Sequence, residues 1–414
     1  CSGTASSTSV TMSANRTCAA QFTANTPPPP PAQQFLGISL TGMEMGYWNT
    51  YWHAATYANG PASNGSSYPI FKTALIDYFA SKKVGAFRFL LSWEAMQPNL
   101  YDPIPNSAAN ANFRAYFNQY KAIVDYATSK GIQVIIEPWE ATTDDQLCGA
   151  CWNGWPVGST TVPVAAFADF WSKMASVYKD NPLVSYGLIN EPNNNPASNH
   201  DPNGAAIRQS TMAWFQAAQA AITAIRNTGS TQRIYVPGNC WTAASDWTST
   251  WCDAASPPVS NATAWLTVNN GTPLYDPLHN IAIEVHTYLD SDQSGNSSQI
   301  TSVSAARNQI ATTLDWARQQ GLKVYLGEMG FCATAKTTSG GYPASTVWAD
   351  FINYFNANSD TFLGHTWWAG GDPAWWNDPC ANGGGHFSVS PTSCNGTTCS
   401  GDTANMLMIQ NDFK

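Results

Sequence analysis

The sequence predicts an α/β fold, a single (β/α)8 TIM barrel with a Pro-rich N-terminal arm and a disulfide-rich C-terminal tail. Three observations lead there. Eight strand-like runs recur at intervals of roughly 40–50 residues, and eight is the number at which such strands close. Most of the runs are nearly continuous in apolar residues, as strands covered on both faces are. Helical periodicity fills most of the gaps. A doubly wound open sheet is the rival, but no glycine-rich phosphate turn follows the first run.

In order, the runs are Phe35–Leu40, Ala86–Leu91, Gln133–Pro138, Ser185–Glu191, Arg233–Pro237, Ile281–Leu289, Lys323–Glu328 and Phe362–Trp367. Between the first two, Phe71, Leu75, Tyr78 and Phe79 share one helical face. After the second, Phe113, Phe117, Tyr120, Ile123, Val124 and Ala127 do the same. Further helices are expected within Phe167–Tyr178, Met212–Ile225, Ala305–Ala317 and Val347–Phe355. Gly131 and Gly321 stand where helix C-termini favour glycine. Residues 1–26 are rich in Ser and Thr, and Pro27 to Pro31 form a stiff run of five prolines. Residues 1–31 therefore read as a spacer, or as an arm lying along the domain, and 32–414 as the barrel. The stretch from about Asn377 to Lys414 has little helical or strand pattern and reads as a disulfide-clamped loop and tail.

Composition narrows the function. The chain has 414 residues, 43% hydrophobic, enough for a large core. Charged residues are only 11%, while 18 Trp, 17 Tyr and 17 Phe are a surplus of flat apolar surface. Half of the tryptophans are assigned to the core, the rest to platforms for sugar rings. Net charge is −9 and no Lys/Arg-rich run exists, which argues against nucleic acid and anionic membranes and for a neutral polymer. Nothing approaches the continuous apolar length of a membrane span. The first residue is Cys1, which reads as a mature exported chain. A lipid-bearing Cys1 is the alternative, and it would leave an odd number of cysteines. Nothing points beyond a monomer.

Ten cysteines in such a chain suggest disulfides. Pairing neighbours gives Cys1–Cys18, Cys148–Cys151, Cys240–Cys252, Cys332–Cys380 and Cys394–Cys399. Cys148-Gly149-Ala150-Cys151 has no second such pair and no nearby His pair, so a loop staple is favoured over a metal. Glycosylation sequons occur at Asn15, Asn64, Asn261, Asn270, Asn296 and Asn395.

Two runs end on glutamates: Leu188-Ile189-Asn190-Glu191-Pro192 and Tyr325-Leu326-Gly327-Glu328-Met329. Functional groups of such barrels sit at the C-terminal ends of strands. Two carboxyls delivered there are what glycosidic bond cleavage uses, one protonated and one ionised. Alternation puts Glu284, His286 and Tyr288 on one face of the sixth run, and Arg88 is a charge inside the second. Glu284 is expected to pair with a cation such as Arg88. His286 is expected at the site, and His365 is expected to be structural. The six histidines are scattered, with no metal-binding spacing, and no serine nucleophile elbow or dinucleotide fingerprint occurs. No cofactor or metal is called for.

The chain from about Phe35 to Trp376 resembles glycoside hydrolase family five, the cellulase and mannanase family, and most closely its microbial endo-β-1,4-glucanase branch. The match rests on Phe87-Arg88-Phe89, Asn190-Glu191-Pro192, Gln216 to Trp241, Glu284 to Asp292, Leu326 to Gly330 and Trp367 to Gly371. The resemblance implies a catalytic domain in which Glu191 is the general acid/base and Glu328 the nucleophile. It further implies that Asn190 holds the sugar 2-hydroxyl and that Arg88 keeps the pKa of Glu328 low. His286 and Tyr288 would line the cleavage subsite, and Trp368 or Trp367 would stack under the sugar. Trp139 and Glu140 depart from the branch, which carries a His-Asn pair there. They should reshape the subsite floor and its charge. Trp48, Trp52, Trp93, Trp152, Trp155, Trp241, Trp247, Trp375 and Trp376 are further candidates for the cleft.

The function expected is a secreted, endo-acting, retaining hydrolase of a β-1,4-linked glucan, with a polysaccharide or oligosaccharide as its only partner. Alternatives are a mannanase or transglycosylase on the same scaffold, or a barrel that binds carbohydrate without hydrolysing it.

Overall fold

The structure is a computed structural model that describes residues 34–44, 72–105, 111–139, 151–152, 155–193, 210–373, 380 and 387–413. Eight parallel strands close into a barrel in chain order: β1 (Phe35–Leu40), β2 (Ala86–Leu91), β3 (Gln133–Pro138), β4 (Val184–Gly187), β5 (Ile234–Pro237), β6 (Ile281–His286), β7 (Val324–Met329) and β8 (Phe362–Gly370). β8 returns to β1, with Phe35 opposite Gly364 and Ile38 opposite Trp367. All eight expected strands form. The end of the fourth run differs. Its ladder stops at Gly187, and Leu188–Pro192 continues as an irregular segment held by single bonds such as Asn190 N–H to the Pro138 carbonyl at 2.8 Å.

Inside the barrel, Phe35, Ala86, Ile135, Tyr235, Ala282, Tyr325 and Leu363 form a buried apolar cluster of their own, one residue from each of seven strands. Strand side chains repeat on the same face every second residue. Two positions on from this plug, toward the strand C-termini, stand Arg88, Glu137, Glu284 and Gly327. A charged layer thus lies directly on an apolar one, at the end of the barrel where sites of this fold are built.

Outside, helices cover the strands: Thr73–Ser81, Ala111–Ser129, Val164–Tyr178, Thr211–Asn227, Asn261–Thr267, Ala305–Gln319 and Ala344–Ala357. Ser210 and Ser260 begin two of them, each side-chain oxygen accepting a backbone N–H three residues on. Gly131 and Gly321 follow helices at φ of 80° and 69°, the left-handed region glycine enters freely. Trp171, Trp214, Trp247 and Trp265 are fully buried between helices and barrel. The indoles of Trp171 and Trp214 donate to the carbonyls of Leu188 and Pro237 at 3.0 and 2.8 Å. Much of the tryptophan surplus is therefore core.

The tail is more regular than its composition suggests. A helix spans Ala404–Ile409, begun by Thr403, whose hydroxyl accepts the Met406 N–H, and its Met406 and Ile409 face the core. Three expected disulfides are present: Cys240–Cys252, Cys332–Cys380 and Cys394–Cys399. Of the other two expected pairs, Cys1, Cys18 and Cys148 lie outside the described residues, as does the arm 1–31, and the side chain of Cys151 is not described. The Asn261 sequon cannot carry a glycan in the folded chain. Its side chain is buried and bonded in both directions to the backbone of Asn239. Among the described residues, no helix is long and apolar enough to cross a membrane.

Candidate active site

The site is assembled around one guanidinium. Arg88 projects from β2 and is completely buried. Its Nε and Nη2 donate to the two oxygens of Glu137, on β3, at 2.8 and 2.7 Å. Nη2 also donates to Oδ1 of Asn190 at 2.7 Å, and Nη1 to Oε1 of Glu328 at 2.6 Å. Glu284, on β6, lies 3.4 Å from Nε. Burial opposes the charge on Arg88, but Glu137, Glu328 and Glu284 outweigh it and hold the group charged.

Glu328, at the end of β7, accepts a second bond at 2.6 Å from the phenol of Tyr288. Glu191 lies past the end of β4 at φ 43°, a strained backbone for this residue type. That turn is held from the β5 side, where the Trp241 N–H donates to the Pro192 carbonyl at 3.0 Å. The carboxyl of Glu191 meets His286 Nδ1 at 2.7 Å. Glu191, His286 and Glu328 each present one atom within 4.8 Å of the others. They are the one described group that could hold a metal ion, but bonds to Arg88, Tyr288 and each other already occupy the carboxyl oxygens Glu328 Oε1, Glu328 Oε2 and Glu191 Oε1. The two acids that the sequence placed on separate strand ends are brought within 4.8 Å of each other, on either side of His286 Nδ1.

Their environments differ. Burial, then the charge of Glu328, raise Glu191 well above the usual carboxylate range. Burial also raises Glu328, against the expectation that Arg88 would leave it low. Arg88 and Tyr288 oppose the rise without cancelling it. Burial and the nearby Arg88 keep His286 neutral. Glu191 is therefore the better proton holder and Glu328 the better anion.

A family model described as cellulase (glycosyl hydrolase family 5) matches residues 46–371. The chain belongs to glycoside hydrolase family 5. It is 30% identical over 390 residues to Endoglucanase 1 of Robillarda sp. (strain Y-20), covering 91% of this chain and 89% of that one. An endo-beta-1,4-glucanase from Xanthomonas axonopodis pv. citri superposes with a TM-score of 0.69 at 28% identity, over 91% of this chain and 98% of that one. XacCel5A, solved in complex with cellopentaose, superposes equally well, at 0.69 and 28%, over 92% of this chain and 99% of that one.

In this family 5 enzyme, Arg88, Asn190, Glu191, His286, Tyr288 and Glu328 come together as the sequence suggested. Trp367 does not. It is fully buried, its indole donates to the Phe387 carbonyl at 2.7 Å, and it packs on Phe331 and Trp348. An irregular register between β7 and β8 turns Trp367 toward the helices, leaving the half-buried Trp368 as the ring of the pair with free surface. Trp93 and Trp247 are likewise core and cannot pave a cleft. Trp139, Trp155 and Trp241 are half-buried. Glu140, Trp48, Trp52, Trp375 and Trp376 lie outside the described residues, and the side chain of Trp152 is not described. His365 is structural as expected, packed against Trp348 and Phe351 and held neutral by burial, its pKa down to about 3.

Two residues of the site escaped sequence reasoning. Glu137 takes two hydrogen bonds from Arg88, and its signal was the one that revealed Arg88: a charge inside an apolar strand. Glu44, just past β1, is buried with one oxygen bonded to the Gly42 N–H at 2.7 Å and the other without a partner among the described residues. Burial pushes its pKa up to about 8. A folded-state pKa above the unfolded 4.5 means stability that is complete below 4.5 and is lost as pH rises through about 8. Glu44→Gln, neutral at every pH, should gain melting temperature over the parent at pH 9 and much less at pH 5. Equal differences at the two pH values would show that Glu44 carries no such proton.

Proposed function

We propose that this family 5 hydrolase is a secreted, endo-acting β-1,4-glucanase that cleaves cellulose-like or mixed-linkage glucan with retention of configuration. The separation of the two carboxyls carries the reading. Retaining enzymes hold theirs about 5–5.5 Å apart and inverting enzymes roughly 6.5–9.5 Å. One oxygen of Glu191 lies within 4.8 Å of one of Glu328, and both carboxyls reach the same His286 Nδ1, at 2.7 and 3.6 Å, a closeness that favours the first class. In this mechanism Glu328 attacks the anomeric carbon while Glu191 gives its proton to the leaving oxygen. The ionised Glu191 then takes a proton from water, which displaces Glu328 and frees the sugar. Arg88 and Tyr288 orient the nucleophile, and neutral His286 accepts from or donates to Glu191 as its proton leaves and returns.

Arg88 holds Asn190 by its carbonyl oxygen, which leaves the amide N–H groups for the sugar 2-hydroxyl. Trp368 is the stacking platform next to the scissile bond, and Trp139 and Glu140 shape the subsite floor. Relatives named as endoglucanases, and the cellopentaose complex of XacCel5A, favour a glucan chain as substrate. Three disulfides suit an oxidising compartment. The net charge of −9 suits a neutral polymer, with no nucleic acid or membrane partner, and the chain acts as a monomer. Residues 1–31 serve as its arm or linker and 32–414 as its catalytic domain.

The test is a panel of carboxymethyl cellulose, mixed-linkage glucan, galactomannan and xylan, with proton NMR of the first product anomer. The glucans should be cleaved fastest and should release the β-anomer. An α-anomer as first product rules out retention, and faster galactomannan hydrolysis makes the enzyme a mannanase.

A further inference from the structure

Beneath the two acids of the proposed mechanism lie two more carboxyls to which it assigns no step. Glu137 and Glu284 are fully buried on neighbouring faces of Arg88. The barrel makes room for both. A Cβ on Gly187 would come within 2.2 Å of Glu137 Oε2, and one on Gly327 within 2.3 Å of Glu284 Oε1. Glu284 Oε1 also lies 3.5 Å from Nε2 of His286, a nitrogen with no hydrogen-bond partner among the described residues. Glu137 Oε2 and Glu284 Oε1 converge on the same Nε of Arg88, at 2.8 and 3.4 Å. Among the described residues, no N–H or O–H group donates a hydrogen bond to either Glu284 oxygen.

One N–H cannot serve two ionised carboxylates, and a proton on Glu284 removes the conflict by making it a donor instead. Charge leads to the same place. With Glu137, Glu284 and Glu328 all ionised, three negative charges would share the single positive charge of Arg88 in a buried layer, at a high desolvation cost. Among the described residues, the groups facing Glu284 supply no second cation: Arg88 from β2, Glu137 from β3, Tyr235 from β5, His286 from its own strand, and Tyr325 and Glu328 from β7.

We propose that Glu284 is a carboxylic acid that keeps its proton throughout turnover, donates it to Glu137, and acts as a positioning residue for both catalytic acids. Glu137 alone then takes Nε and one Nη of Arg88, and the remaining Nη1 serves Glu328. A neutral Glu284 also leaves His286 uncharged, so that Glu191 faces a neutral imidazole and can hold its own proton. An ionised Glu284 would draw a proton onto His286, and the resulting cation would strip Glu191 of its acidity. This role rests on the glucanase reading above, but protonation can be read without any substrate.

The first measurement is an infrared difference spectrum, Glu284→Gln minus parent, at pH 7. Loss of the carbonyl stretch of a protonated carboxylic acid is expected. A spectrum that shows loss of carboxylate bands instead overturns the proposal, whatever the enzyme hydrolyses. The second is the pH profile of kcat/KM. Glu284→Gln should keep both limbs within about 0.3 units, because a neutral group replaces a neutral group. Movement of either limb to lower pH by a full unit means that a buried negative charge was removed, and the proposal fails. Glu284→Leu, which cannot donate to Glu137, should lower kcat at least about tenfold relative to Glu284→Gln with KM within about threefold. If Leu and Gln behave alike, Glu284 only fills space and has no positioning role.

Discussion

Glu328→Gln is expected to lower turnover on carboxymethyl cellulose by about 10⁴-fold or more, the scale on which removal of a covalent nucleophile acts. The substitution keeps the shape of the side chain. Its amide oxygen can still accept from Arg88 Nη1, and the Tyr288 hydroxyl can turn to accept from the amide nitrogen, the two contacts that are 2.6 Å in the parent. What is lost is the nucleophilic oxygen, so binding of an unhydrolysed cello-oligosaccharide should survive and the melting temperature should change little. Rates, calorimetric binding and melting temperature measured on one preparation separate these quantities. Residual hydrolysis above about 1% of the parent rate, with contamination excluded, removes Glu328 from the nucleophile's role.

Arg88→Leu should damage both folding and catalysis. Arg88 bridges Glu137, Asn190 and Glu328, and Glu284 lies beside it. Breaking a buried ion pair by removing one partner costs about 3–5 kcal/mol, because the other charge is left without compensation. Burial already raises Glu284 and Glu328, and Arg88 is what restrains them. Without it, their folded-state pKa values move further above the unfolded ones. Stability contributed by a raised carboxyl is complete below its unfolded pKa and is lost as pH rises. The deficit of Arg88→Leu in a denaturant titration should therefore be larger at pH 8 than at pH 4.5. Catalysis should fall by about 10³-fold or more, since a protonated Glu328 is a poor nucleophile. Arg88→Lys should recover part of the stability and little of the rate, because an ammonium cannot serve three acceptors in a plane. A deficit independent of pH would contradict the charge argument.

The barrel was legible because its signals are local. A strand covered on both faces must be apolar along its length, and a covering helix must be apolar along one stripe, so runs such as Gln133–Pro138 and stripes such as Tyr120, Ile123, Val124 and Ala127 declare themselves. The short helix Ala404–Ile409 did not, since six residues hold too few turns to show a period. Among site residues, Arg88, Glu191 and Glu328 were visible as charges in or just beyond apolar runs. Trp368 was preferred to Trp367 only through the resemblance, because strict alternation fails where the register between β7 and β8 slips.

The chain's own pattern of apolar and charged residues decided that eight strands would form and that two glutamates would stand at or beyond their C-terminal ends, for both follow from which side chains water rejects. Which carboxyl bonds to which cation, and which proton holder lies beside which anion, was decided only when β2, β3, β6 and β7 closed into a ring. Residues 88, 137, 284 and 328 are far apart along the chain, and their ionisation is set by shared burial and mutual charge, quantities that come into being only with the closed barrel.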